Sequence, residues 1–193
     1  MLKQQPESMR AKVKEVSVDM WGGFKKVIRE VFPNALIVID RFHVMKLVNS
    51  SLNQLRLKLE LKGLKNRCLL LKNYVDLTPE ERSDLKLLLK ASPCLSIAYE
   101  LKEELRDIYE SSTTVLMGMR RLKKWLNSAL IVFGKTAQTL KHHLPDICHY
   151  FINRTTSGVM EGLNNRIKLI LRQSYGFKNF EMMREKLLAC LSL

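Results

Sequence analysis

Hydrophobic and polar positions divide the chain into two unlike parts. Glu15-Val-Ser-Val-Asp19 alternates as a short strand does, and Trp21, Phe24, Ile28, Val31 and Phe32 then recur at helical spacing opposite Lys25, Lys26 and Arg29. Pro33-Asn34 ends that helix, and Ala35-Leu-Ile-Val-Ile39 follows as an unbroken branched apolar run, the pattern of a strand covered on both faces. Residues 15–40 therefore predict a βαβ unit. Such a crossover is right-handed and makes the strands parallel, so Asp19 and Asp40 should lie at carboxyl ends on the same sheet edge.

Beyond Asp40 the period is helical. Met45, Val48, Leu52, Leu55 and Leu59 form a 3-4-3-4 seam. Thr78-Pro-Glu-Glu81 combines a Thr cap, Pro at the first helical position and a Glu able to bond back to the cap. Further helices are expected over 96–110, 115–133 and 135–142. Trp21 and Trp125 fall on apolar faces and are assigned to core packing rather than base stacking. With no repeat and no Gly/Ser-rich linker, the helices are expected to belong to one compact unit.

Thr155 to Arg172 opens with turn residues and continues as a helix, with Leu163, Ile167, Ile170 and Leu171 on one face. Glu161, Asn165, Lys168 and Arg172 stack along the other, so a carboxylate shares a stripe with an amide and two cations. That stripe suits metal and phosphate together; equally, Glu161 in a first turn favours the helix dipole and needs no ligand.

Lys plus Arg number 33 against 19 Asp plus Glu, a net charge of +14, which favours an acidic partner such as DNA. The excess is uneven: residues 41–72 carry Arg41, Lys46, Arg56, Lys58, Lys62, Lys65, Arg67 and Lys72 against Glu60 alone. That block and Arg120-Arg-Leu-Lys-Lys124 can line a phosphate backbone or simply be solvated. At 46% apolar and 27% charged residues the composition is globular. No apolar run approaches the roughly 20 residues of a membrane span, and Met1–Arg10 lacks a secretory apolar stretch, so a cytoplasmic location is expected. Cys68, Cys94, Cys148 and Cys190 are scattered beside apolar residues and are expected to be reduced, packed thiols. P-loop, G-x-G-x-x-G and G-x-S-x-G patterns do not occur.

Asp19, Asp40 and Glu161 supply the hard oxygens that Mg²⁺ requires, and two such ions can activate water and stabilise a leaving oxygen in phosphodiester cleavage. An Asp at a strand end is also an ordinary turn former. His43 can orient a neighbouring carboxylate or pack at a helix start. His142, His143, Cys148 and His149 cluster without a zinc spacing, and Pro145 interrupts them.

Four segments together, Val16-Ser-Val-Asp-Met-Trp21, Phe32-Pro-Asn-Ala-Leu-Ile-Val-Ile-Asp-Arg-Phe-His-Val44, Ser157-Gly-Val-Met-Glu-Gly-Leu-Asn-Asn-Arg-Ile-Lys168 and Tyr175-Gly-Phe-Lys-Asn-Phe180, resemble bacterial insertion-sequence transposases of the DDE type, in the ISL3 family. The likeness runs from about Val16 to the C-terminus. It implies an α/β, mostly helical fold: a partial RNase H-like core of βαβ plus C-terminal helices, with a large all-α insertion over approximately 45–150. By the same resemblance Asp19 is the second catalytic aspartate and a metal ligand, with Asp40 the alternative for that place. Glu161 is the terminal glutamate and second metal ligand, and Asp40 with His43 forms a D-x-x-H signature. Arg41, Asn165, Lys168 and Arg172 are added from their positions on the same edge and stripe as DNA phosphate contacts.

The family implies Mg²⁺ or Mn²⁺, DNA strand cleavage and strand transfer, and transposon ends and target DNA as partners. Its first aspartate lies on an earlier strand with no counterpart here, since residues 1–15 are too few for a βαβ unit of about 30. Leu171 stands where relatives tend to carry a basic residue. The expectation is a truncated catalytic domain over 1–193, inactive alone and marginally stable, with an open sheet edge beside Asp19 and an uncovered apolar face. It can form homo-oligomers or mixed oligomers with an intact transposase. The non-enzymatic alternative is a helical DNA-binding protein regulating such a transposase, and a metal-dependent nuclease is a more distant one.

Overall fold

The computed structural model describes residues 2–156, 158–177 and 179–191, in two compact units, Met1–Thr155 and Thr156–Leu193. The single compact unit expected from the sequence is thus found as two, divided between Thr155 and Thr156. Ser157 and Lys178 of the quoted motifs lie outside the described residues.

The first unit begins with a 3-10 turn at Leu2–Gln4 and α1 (Glu7–Arg10), then β1 (Glu15–Val18), α2 (Gly22–Val31) and β2 (Leu36–Ile39). The strands are parallel, with Glu15 opposite Leu36 and Val18 opposite Ile39. The expected βαβ unit is therefore present, and among the described residues these two strands form the whole sheet. The strands differ in cover: Val38 and Ile39 of β2 are fully buried, whereas every residue of β1 is half-exposed. A histidine closes one edge of the sheet, its ring Nδ1 lying 2.7 Å from the Ile37 carbonyl oxygen; as the N–H tautomer, His149 satisfies an acceptor that an edge strand otherwise leaves open.

Helices follow without interruption by strand among the described residues: α3 (Arg41–Lys58), α4 (Leu64–Leu71), α5 (Pro79–Lys90), α6 (Pro93–Ser111), α7 (Val115–Phe133), α8 (Lys135–His142), α9 (Leu144–Cys148) and α10 (Tyr150–Asn153). The buried seam of α3 is Val44, Val48, Leu52 and Arg56. The expected seam is displaced toward Val44: Met45 and Leu55 only flank the core, and Leu59 is exposed. Arg56 takes a core position because its guanidinium donates to Asn53 Oδ1 and to the carbonyls of Leu61 and Gly63. The capping box at Thr78 and Glu81 forms as predicted. Helix α6 starts three residues earlier than expected, with Ser92 as cap and Pro93 at the first turn.

The centre of this unit lies between α3, α6 and α7, around Leu52, Leu105, Ile108 and Trp125, all almost wholly buried. Trp125 also satisfies its indole N–H by donating to the Leu101 carbonyl at 2.8 Å, so its assignment to the core holds. Trp21 departs from expectation. It precedes the first turn of α2 as its cap residue and is 64% exposed, stacked edge-on against Phe24, while the helix buries Ile28 and Val31. Lys102 is buried with its ammonium donating to the carbonyls of Leu70 and Lys72 and paired with Glu103, which ties the end of α4 to α6. Burial lowers its pKa.

The second unit comprises α11 (Gly158–Gln173) and α12 (Phe180–Leu191). Ile170 is buried and Leu163, Ile167 and Leu171 are half-buried, giving α11 the apolar face the sequence predicts. Arg166 donates to the Cys190 carbonyl at 2.7 Å and so joins the helices. No helix among the described residues is long and apolar enough to cross a membrane.

Candidate active site

Pairing between β1 and β2 continues one step past the strands, where the Asp40 amide donates to the Val18 carbonyl at 3.1 Å. Asp19 and Asp40 therefore occupy adjacent chain ends at the carboxyl edge of the sheet, on strands spaced by about 4.8 Å. Each carboxylate grips the backbone that follows it. Asp19 Oδ1 accepts from the Trp21 amide at 2.8 Å, and Asp40 Oδ1 accepts from the Phe42 amide at 2.7 Å, capping α3. Asp40 is buried, Asp19 half-buried. The turn-forming role weighed from the sequence is thus fulfilled by both residues. At Asp19 it uses one of the two carboxylate oxygens.

His43 lies half-buried in the first turn of α3, its ring edge-on to Phe42. Arg41 is held firmly: its guanidinium donates to Glu110 at 2.9 Å and lies over the Tyr109 ring, 5.5 Å from the centroid. Partial burial disfavours its charge, but hydrogen bonds to Glu110 and Tyr150 outweigh this and raise its pKa. Glu110 is correspondingly held below the usual carboxylate range by Arg41, and Arg106 adds a second ion pair. Sequence reasoning misses Tyr109, Glu110 and Tyr150 as supports of Arg41, for nothing local connects residues so far apart in the chain.

In the second unit Glu161 is exposed in the first turn of α11. Asn165, Lys168 and Arg172 are exposed along the same stripe, and neither cation forms an ion pair among the described residues. Each unit stands by itself, so the three carboxylates are placed as a pair in one and a single group in the other. Among the described residues no cluster of three or more His, Cys, Asp or Glu side chains is suited to a metal. The donors at the sheet edge fit a hard cation in kind, as two adjacent carboxylates, and not in number.

The remaining candidates have other partners. His142 and His143 pack ring against ring, and His149 serves the sheet edge. All four cysteines are free thiols. Cys148 is buried, which pushes its thiol pKa up to about 11. Cys68 and Cys94 are exposed and Cys190 half-exposed, so the packed-thiol expectation holds fully for Cys148 among the four.

A family model described as a transposase, of the DDE ISL3 type, matches residues 1–187. The chain belongs to the ISL3 family of DDE transposases. Similar members include the transposase of insertion sequence element IS1001 from Bordetella parapertussis, 28% identical over 92% of this chain and 47% of that protein. Another is the transposase of element IS1557 from Mycobacterium tuberculosis (strain CDC 1551 / Oshkosh), 26% identical over 88% of this chain and 46% of that one. A shorter match, 32% identical over 56% of this chain and 34% of the other, is to a Lactococcus lactis subsp. lactis protein named as an ATP-dependent protease. This ISL3 chain thus spans about half the length of the curated transposases it matches. No solved structure matches it.

Proposed function

We propose that the chain is the part of an insertion-sequence transposase that carries Asp19, Asp40 and Glu161 to a shared metal site, within an RNase H-like core. The support is the parallel register, which sets two carboxylates side by side at the carboxyl edge in a chain of this family. Asp19 and Glu161 hold Mg²⁺ or Mn²⁺, and Asp40 is the second carboxylate of the edge. When bound, the metal supplies a more acidic water and stabilises the leaving oxygen of a phosphodiester. His43, in the first turn of the helix that Asp40 caps, orients Asp40. Arg41, kept charged and immobile by Glu110, together with Asn165, Lys168 and Arg172, positions DNA phosphates.

The substrates are transposon ends and target DNA, cut by water and joined through 3′-hydroxyl groups. The reading implies DNA binding with a metal-dependent component. Fluorescence anisotropy on labelled duplex, with Mg²⁺ against EDTA, tests this. Asp19→Asn and Glu161→Gln should remove the Mg²⁺-dependent gain and leave the salt-sensitive bulk affinity unchanged. Equal Mg²⁺ response in wild type and both variants would contradict the reading.

A further inference from the structure

A groove of about 380 Å³ runs along the outer face of α3, bounded on its far side by Arg67 and Leu71 of α4. Phe42, Lys46, Asn49 and Asn53 line it from α3, and their spacing of four, three and four residues puts them on one stripe. The stripe begins beside the carboxylate edge, since the amide of Phe42 is the group that holds Asp40.

Each lining group is left with unused capacity. Phe42 is 49% exposed, so its ring is open to the groove. Lys46 and Arg67 are exposed and form no ion pair among the described residues, whereas Lys65 and Lys72 of the same basic block are paired with Asp84 and Glu81. Asn49 Oδ1 is shut off from solvent and has no hydrogen-bond partner. A buried acceptor left without a donor is costly, and a ligand in the groove supplies one only once the Asn49 amide has rotated toward it. Asn53 Oδ1 is occupied by Arg56 Nε at 3.0 Å, which fixes the amide and leaves its NH₂ as the donor.

These groups match the parts of one nucleotide: two cations for phosphate, a carboxamide acceptor and a carboxamide donor for a base edge, and an aromatic face for stacking. Duplex DNA hides its base faces, so a ring and two amides inside a groove favour an unpaired strand. The volume is that of a small-molecule site rather than a duplex-sized channel.

We propose that this groove binds a nucleotide of a single DNA strand as it leaves the Asp19–Asp40 edge. The inference rests on the DNA-cutting role proposed above but concerns a separate property, strand selectivity. The probe is a labelled oligothymidylate of about 15 nucleotides, alone and annealed to its complement, measured by anisotropy over a salt series with the whole chain. Phe42→Ala and Asn49→Ala should each weaken single-strand binding about tenfold and leave duplex binding unchanged. The double variant Lys46→Gln/Arg67→Gln should lower the single-strand salt slope by about 1.4.

Ultraviolet crosslinking of a bromodeoxyuridine-containing strand to the unmutated chain provides a check independent of variant folding, and should label peptides within 42–71. Single-strand affinity unaltered by Phe42→Ala and Asn49→Ala, an equal loss on duplex, or crosslinks confined to other segments would each overturn the proposal. If the Mg²⁺-dependent DNA binding persists in that case, the groove alone is refuted. A chain that binds neither form of DNA refutes both readings.

Discussion

Asp40 serves folding and, on our reading, chemistry, and the two uses are separable by substitution. Its carboxylate caps α3 through the Phe42 amide. Asn caps as well as Asp, whereas Ala cannot. Asp40→Asn should therefore leave the urea midpoint nearly unchanged, and Asp40→Ala should destabilise by about 1 kcal/mol; equal destabilisation by both would show that the charge itself, and not the cap, holds the fold. His143 makes a second residue-scale prediction. Burial lowers its pKa, with Lys25 and His142 acting in the same direction and Asp146 opposing. The unfolded chain then takes up a proton on this imidazole at higher pH than the folded chain does. Stability should fall as pH drops from 7 through the ordinary histidine range of about 6.5. His143→Gln should flatten that slope in urea titrations, and an unchanged slope would exclude His143 as its source.

Among the elements, the contact of α7 with α10 depends on a missing side chain. A Cβ at Gly118 would overlap the Phe151 ring, which is 5% exposed and stacked on Tyr109. Gly118→Ala should cost about 1–3 kcal/mol despite the better helix propensity of Ala, and Gly118→Ala/Phe151→Leu should recover part of it. Chemical denaturation of the three proteins decides this. Local signals account well for elements of this kind. The Pro33-Asn34 stop and the apolar run 35–39 made the βαβ unit readable, and the helices over 115–133 and 135–142 match to the residue. Trp21 was misread because periodicity alone cannot tell the residue before a first turn from one inside it. The early start of α6 carried a readable signal, Ser92 followed by Pro93.

What was not legible is long-range. Carboxylate Asp19 and carboxylate Asp40 could be placed on one edge because parallel crossover fixes the direction of both strands. The supports of the sheet and of the helix that follows it come from far along the chain: His149 on the Ile37 carbonyl, Asn153 and Thr155 on the Glu15 carboxylate at the amino end of β1, and Glu110 on Arg41. Hydrogen bonds between such distant residues leave no periodicity to read. The turn residues that open at Thr155 read as the start of a helix and not as a division between units.

For the whole molecule, the excess of 33 basic over 19 acidic residues is a property of the surface and draws any polyanion. Salt-sensitive DNA binding alone therefore says little about catalytic ancestry. Cation binding discriminates, because a strongly basic chain repels Mn²⁺ unless specific carboxylates converge. Electron paramagnetic resonance titration of Mn²⁺ into the purified chain is the most direct measurement. The account predicts one saturable class of sites that weakens at least about tenfold in Asp19→Asn and again in Glu161→Gln, with circular dichroism unaltered. Mn²⁺ affinity that is indifferent to both substitutions would contradict the claim that these residues share a metal.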